Sequence, residues 1–212
     1  MSHLFFDIEN YISPENKNSG LNPYTKDSKV IVISYTYYKG FKPPGINRIK
    51  PPTFLKEWES SEEEILFKFH KFIKKANVKE QYPPKYVGFN ITSLDLPYLF
   101  GRMKKHKIAS ESELYDLLFR PYALDLYQLT PLISGELNKY NQLWGLNHRS
   151  ASEFFNLRVK VGTGDELSKF YDNCEYDKIM KYCTEEFNFE MMMDAFYLHI
   201  LNLRKIQLNQ NE

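Results

Sequence analysis

Leu4-Phe5-Phe6-Asp7-Ile8-Glu9 is the stretch on which the rest of the chain turns. Four of its six residues are large and apolar, so it reads as a buried strand near the start of the chain. Two carboxylates interrupt it. Successive strand side chains point to opposite faces, so Asp7 and Glu9 point the same way. Two like charges side by side on a core strand repel each other and lose hydration. A divalent cation relieves both problems, and an oxygen-only donor set suits Mg²⁺ or Mn²⁺. The plainer alternative is a strand that ends at Phe6 and leaves both acids in solvent.

The chain has 212 residues and a formal net charge of +1. That length fits one domain with a sizeable core, expected over residues 1–205, followed by a polar tail over 206–212. The charge excludes a strongly basic nucleic-acid coat but leaves room for a local basic groove. Cys174 and Cys183 make no disulfide framework and lack metal-ligand spacing, which points to a reducing compartment and a cytoplasmic location. No apolar run is long enough to span a bilayer, so no membrane association is expected. Residues 1–6 lack the basic start and apolar stretch of a signal peptide. The 16 Tyr and 16 Phe should fill core and half-exposed sheet positions, with some left to serve as stacking platforms.

Residues 10–29 are polar and turn-rich, with Ser13-Pro14, Ser19-Gly20 and Asn22-Pro23, and read as a long loop. Val30 to Tyr38 is β-branched and aromatic and reads as a second strand. After the turn signals at Gly40 and Pro43-Pro44-Gly45, Ile46 to Lys50 is a candidate third strand, so the chain would open as an antiparallel meander. Ser61-Glu62-Glu63-Glu64 is a capping box, and Ile65, Leu66, Phe69, Phe72 and Ile73 form the buried stripe of the helix behind it. Lys68, Lys71, Lys74 and Lys75 fall mainly on other faces and read as solvated surface. Tyr86-Val87-Gly88-Phe89 is a short strand, followed by a helix that opens near Asp95 with Pro97 in its first turn. Leu124-Asp125-Leu126 marks another strand end, and Ser150-Ala151-Ser152-Glu153 a second capping box. A short helix is expected over Asp165 to Tyr171, and a last, longest one from Asp177 to about Leu203, with a frayed tail after Arg204. Strands followed by helices in the second half imply crossovers and a mixed α/β sheet flanked by α-helices.

Three stretches carry chemistry. Asp7-Ile8-Glu9 is the first. In Asn90-Ile91-Thr92-Ser93-Leu94-Asp95-Leu96-Pro97-Tyr98-Leu99, a strand closes and a helix opens, which puts Asp95 at the positive helix end. In Tyr182-Cys183-Thr184-Glu185-Glu186, Tyr182 and Glu186 stand four apart and share a helix face. Each stretch alone has an ordinary structural explanation. Their order and spacing together resemble the DEDD superfamily of 3′–5′ exonucleases, in the branch with a tyrosine in its third motif. The middle stretch is most similar to the proofreading domain of family B DNA polymerases and its stand-alone relatives. The resemblance covers roughly residues 4–200, and Leu124-Asp125-Leu126 also looks like the stretch usual between the second and third motifs.

The resemblance implies a ribonuclease-H-like fold and a site holding two Mg²⁺ or Mn²⁺ ions. It implies that Asp7 bridges the ions, that Glu9 and Glu186 help hold the one that binds water, that Asp95 serves the other, and that Tyr182 positions the water. It also implies that the backbone at Ile8 and Glu9, with Asn90, lies near the 3′ end of a substrate such as single-stranded DNA. Arg102 and Lys105, with Lys104 and Lys107, close the helix after Asp95 and are candidate phosphate contacts; charge suited to a helix C-terminus is the alternative. Two departures stand out. Leu94 occupies a position usually aromatic, and Glu186 one usually Asp, with Glu185 and Glu190 as alternative ligands. The longer Glu186 leaves open a weakened exonuclease-like protein that only binds nucleic acid. An exoribonuclease is also open, since nothing in the sequence reads a 2′-hydroxyl.

Overall fold

A computed structural model describes residues 2–15, 22–39, 50–79, 82–135, 144–159 and 162–209. Among them, the chain begins with strand β1 (His3–Tyr11), followed by β2 (Lys29–Tyr38) and β3 (Thr53–Lys56). Helix α1 (Glu62–Lys79) leads to β4 (Lys85–Gly88), then α2 (Asp95–Lys105) and α3 (Glu111–Leu118). After β5 (Ala123–Asp125), the described residues form helices α4 (Pro131–Ser134), α5 (His148–Phe154), α6 (Gly164–Asp172), α7 (Tyr176–Glu186) and α8 (Phe189–Asn209). The five strands form one mixed sheet in the order β3-β2-β1-β4-β5. The β1–β2 and β2–β3 pairs are antiparallel, whereas β1–β4 and β4–β5 are parallel.

Alternation along β1 sorts the core. Leu4, Phe6 and Ile8 pack with Ile65, Leu66, Phe69 and Ile73 of α1 and with Leu96, Leu99 and Met103 of α2. Phe5 faces the other way, against Phe189, Met192 and Phe196 of α8. Asp7 and Glu9 share the parity of Phe5 and therefore point away from the α1–α2 layer. The β1–β2 register slips between Glu9 and Asn10, a bulge of the kind that re-aims side chains beside functional sites.

The β1–β4 pairing covers only His3 to Phe5, because β4 leaves the sheet at Gly88. Only glycine fits there: a Cβ would meet Ile91 Cγ2 at 2.2 Å and the Phe6 carbonyl oxygen at 2.8 Å. The edge of β1 beyond Phe5 is thus open toward the turn that follows β4. No helix among the described residues is long and apolar enough to cross a membrane.

Several expectations are corrected. Asn10 and Tyr11 belong to β1 and not to a loop. The third strand among the described residues is Thr53–Lys56; of the stretch expected in its place, 46–49 lies outside the described residues, as do Ser19-Gly20, Gly40 and Pro43-Pro44-Gly45. Helix α5 starts earlier than its apparent capping box, since Asn147 is the cap and accepts from the Ser150 amide at 2.9 Å. The single last helix is two, α7 and α8. Asn188 anchors the break: its side chain donates to Ser152 Oγ at 3.0 Å and to the Arg158 carbonyl at 2.9 Å, and pairs with His148 Nε2 at 3.0 Å. The backbone itself leaves the helix at Phe187, where ψ is 71°. Helix α8 then continues to Asn209, through the first part of the expected tail.

Candidate functional site

Asp7, Glu9 and Glu186 come together. One carboxylate oxygen from each lies within 4.8 Å of the other two. β1 brings the first two from one face, and the last residue of α7 brings the third. They line a cleft of about 690 Å³ together with Ile8, Asn90, Leu94, Asp95 and Tyr182.

Asp95 joins them through the backbone. Its Oδ1 accepts the Ile8 amide at 3.0 Å, on the stretch of β1 that β4 leaves uncovered. Burial pushes the Asp95 carboxyl up to about 7; the Ile8 amide opposes this, and the charges of Glu186 and Asp125 add to it. Tyr182 is buried one turn before Glu186 on α7. Burial, the charges of Glu9 and Glu186, a hydrogen bond to Glu186 and the charge of Asp7 hold its hydroxyl well above the usual phenol range, so it stays protonated.

The donors are all hard oxygens, which suits Mg²⁺ or Mn²⁺. The neighbouring thiol of Cys183 is pushed up by burial and by Glu9, Asp7 and Glu186, so it offers no thiolate ligand. The Asp95 carboxyl is raised by burial first and then by the charges of Glu186 and Asp125, and a cation beside it would offset both. The residues therefore fit the divalent ion that the sequence suggests.

The alternative ligands face elsewhere. Glu185 is buried against Arg158 at 3.2 Å, and Glu190 accepts from Thr36 Oγ1 at 2.6 Å and from the Tyr38 hydroxyl at 2.5 Å. Arg102 and Lys105 also lie apart from the cleft. Arg102 is 2% exposed, bonded by Nε and Nη2 to Glu62 and by Nη1 to the Pro23 carbonyl at 2.8 Å. Lys105 donates to the Thr25 carbonyl at 3.2 Å, and the two line a separate cavity with Glu62 and His106. Arg102 stands two helical turns from Asp95, about 10 Å along the axis of α2, on the side that meets α1 and the 22–28 loop. Its charge neutralises Glu62 and cannot also serve a phosphate. The surface reading of the α1 lysines holds for Lys68 and Lys74, which pair with Glu64 and Glu113.

The sequence did not point to the far wall of the cleft. Asn147 and His148 at the start of α5, Gly164, Leu167 and Ser168 of α6, and Phe89 and Tyr127 complete it. None carries a local pattern; the Thr163 capping box of α6 is the one signal nearby.

Residues 1–117 match the family model described as DNA polymerase family B, exonuclease domain. No curated protein sequence matches the chain significantly. Among solved structures, the family B DNA polymerase from the hyperthermophilic archaeon Pyrobaculum calidifontis aligns with a TM-score of 0.63 at 16% identity. That alignment covers 93% of this chain and 24% of the polymerase, so the chain spans about a quarter of that protein's length. At that identity the match establishes the shared fold. With the family model covering more than half of the sequence, the chain belongs to the family B DNA polymerase exonuclease-domain family.

Proposed function

We propose that this protein is a metal-dependent 3′–5′ exonuclease that removes nucleotides from single-stranded DNA. The observation that carries this is the convergence of Asp7, Glu9 and Glu186 within 4.8 Å, with Asp95 hydrogen-bonded to the strand between the first two. Asp7, Glu9 and Glu186 would hold one divalent ion, and Asp7 with Asp95 a second. Bound there, Mg²⁺ or Mn²⁺ supplies water activation and stabilises charge on the phosphate and the leaving oxygen. Tyr182, kept protonated, orients the attacking water through its hydroxyl. Asn90 and the backbone around Ile8, which line the cleft, receive the terminal nucleotide; Phe89 and Tyr127 offer aromatic surface to an unpaired base. Arg102 and Lys105 face another cavity and take no part in this one.

The test is incubation of the purified protein with end-labelled DNA and RNA, single- and double-stranded, with Mg²⁺, Mn²⁺ or chelator. Metal-dependent shortening of single-stranded DNA from its 3′ end is the expected result. Preference for RNA would change the substrate. Binding without cleavage under every metal would leave only a nucleic-acid-binding protein.

A further inference from the structure

Asp125 is the last residue of β5, 3% exposed, and sits in parallel register with Gly88 of β4. Its carboxylate accepts four hydrogen bonds. Oδ1 takes the Asn90 amide at 2.7 Å and the Tyr127 amide at 3.1 Å; Oδ2 takes the Thr92 amide at 3.1 Å and the Thr92 hydroxyl at 2.5 Å. A residue that only capped the short 3₁₀ helix Leu126–Leu129 would need the Tyr127 amide alone. The other three donors belong to the turn 90–92, over 30 residues away in sequence.

That turn is unfavourable by itself. Asn90 has φ 62°, the left-handed region that asparagine tolerates better than most residues but does not prefer. From it the chain passes straight into α2: the Leu94 amide donates to the Asn90 carbonyl at 3.0 Å and the Leu96 amide to the Ile91 carbonyl at 2.9 Å. Asp95 lies between Leu94 and Leu96 and reaches the Ile8 amide. Charge-assisted bonds to a buried carboxylate are the strong kind, and backbone donors fix position better than mobile side chains.

We propose that Asp125 is a positioning residue of the site, holding the turn that delivers Asp95 and, through Asp95, the strand backbone between Asp7 and Glu9. The kinetic consequence rests on the exonuclease reading above; the structural consequence does not. The experiment therefore uses two readouts on Asp125→Ala, Asp125→Asn and Thr92→Val. One is hydrogen exchange of the Ile8 amide in metal-free protein, followed by NMR. The other is the rate of cleavage of single-stranded DNA with Mn²⁺.

In Asp125→Ala, Ile8 should exchange at least ~10-fold faster while Ile33 and Val87, within the sheet, keep their protection. kcat should fall by ~10²-fold with KM changed only a few-fold, the pattern of a displaced catalytic group. Asp125→Asn keeps one oxygen acceptor and should recover part of both losses. If Asp125→Ala does not fold, Asp125→Asn and Thr92→Val carry the test, with smaller shifts in the same direction. Wild-type Ile8 exchange and kcat in the folded variants would overturn the proposal. So would exchange that rises equally across the sheet, since that is mere destabilisation. If wild type cleaves nothing but the variants still loosen Ile8 selectively, positioning stands and the exonuclease reading falls.

Discussion

Glu62 and Asp95 use the same local device to opposite ends. Each is the first residue of a helix, α1 and α2, and each is buried. Each accepts a backbone amide from a strand: Val30 to Glu62 at 2.7 Å, Ile8 to Asp95 at 3.0 Å. The difference lies in what surrounds the charge. Glu62 meets Arg102 and His106. Burial alone would raise its carboxyl, but the bonds from Arg102, Val30 and His106 hold it below its ordinary value. Asp95 is pushed up to about 7, by burial first and then by the charges of Glu186 and Asp125. One carboxylate has its cation built into the chain. The other is left for a cation from outside, which distinguishes a structural ion pair from a candidate metal site better than acidity alone does.

Three substitutions should separate the metal site from the structural ion pair most sharply. Asp7→Ala should lower nuclease activity by at least ~10³-fold, the scale of removing a positioned electrostatic group, with folding intact. Relief of repulsion with Glu9 and Glu186 should leave the metal-free melting temperature equal or higher. Glu186→Ala should lose activity to a similar degree, since Glu185 and Glu190 face other partners. Retained activity in a preparation free of contaminating nuclease would break the metal mechanism. Glu62→Ala should do the reverse. It leaves Arg102 buried without its counter-charge, which costs on the order of 3–5 kcal/mol of stability. The protein that remains folded should keep its kcat. Denaturant unfolding and specific activity measured on the same samples check both halves.

The pH dependence should also divide. The unfolded chain protonates Asp95 near its ordinary 3.8, the folded chain near about 7. Between these values the folded state binds more protons, so this contribution is complete at low pH and is lost as pH rises toward about 7. Glu62 bends the curve the other way: lowered below 4.5, it stabilises above that pH and the effect is lost on acidification. In chelator, wild type should therefore lose stability from pH 5 to pH 8 relative to Asp95→Asn. That variant keeps an oxygen for the Ile8 amide but carries no titrating charge. Mn²⁺, which binds the ionised form, should flatten or reverse the difference. Identical pH profiles for the two proteins in chelator would mean that Asp95 is not the strained carboxylate.

What was legible in the sequence was what lies within a few residues. Spacing put Asp7 and Glu9 on one strand face, Asp95 at a helix start and Tyr182 with Glu186 on one helix face, each with an ordinary explanation of its own; only their order along the chain, through the resemblance, joined them into one site. The mixed sheet followed from the order of strands and helices. Long-range pairing was invisible. Arg102 looked like free charge at a helix end because Glu62, its partner, lies 40 residues earlier. Asp125 looked like a plain strand end because its donors sit on a distant turn. The α7–α8 break was hidden in a continuous helical pattern, since the bonds that anchor it run from Asn188 to the distant Ser152 and Arg158.

The smallest expected effect probes the length of the Glu186 side chain, where the resemblance implies a shorter acid. Glu186 closes α7, and the backbone leaves the helix at Phe187, where ψ is 71°. The Asn188 amide bonds back to the Glu186 carbonyl at 2.7 Å, so the main chain at this position is fixed. Its side chain reaches Asp7 and Glu9 from that anchor, and an extra methylene must be taken up by a bent rotamer or by an outward shift of the ion. Mg²⁺ demands near-ideal octahedral geometry at short distances and tolerates either poorly. Mn²⁺ binds nitrogen and oxygen ligands more readily and forgives distortion. Wild type should therefore cleave several-fold faster with Mn²⁺ than with Mg²⁺. Glu186→Asp should narrow that ratio by raising the Mg²⁺-supported rate, a change of roughly 1 kcal/mol or less in barrier. The measurement is the ratio of initial rates with each ion at saturating concentration, on the same single-stranded DNA. A ratio that stays fixed, with the Mg²⁺ rate falling in Glu186→Asp, would mean that the fold has already accommodated the longer side chain. Glu186 would then be an equivalent ligand and not a weakened one.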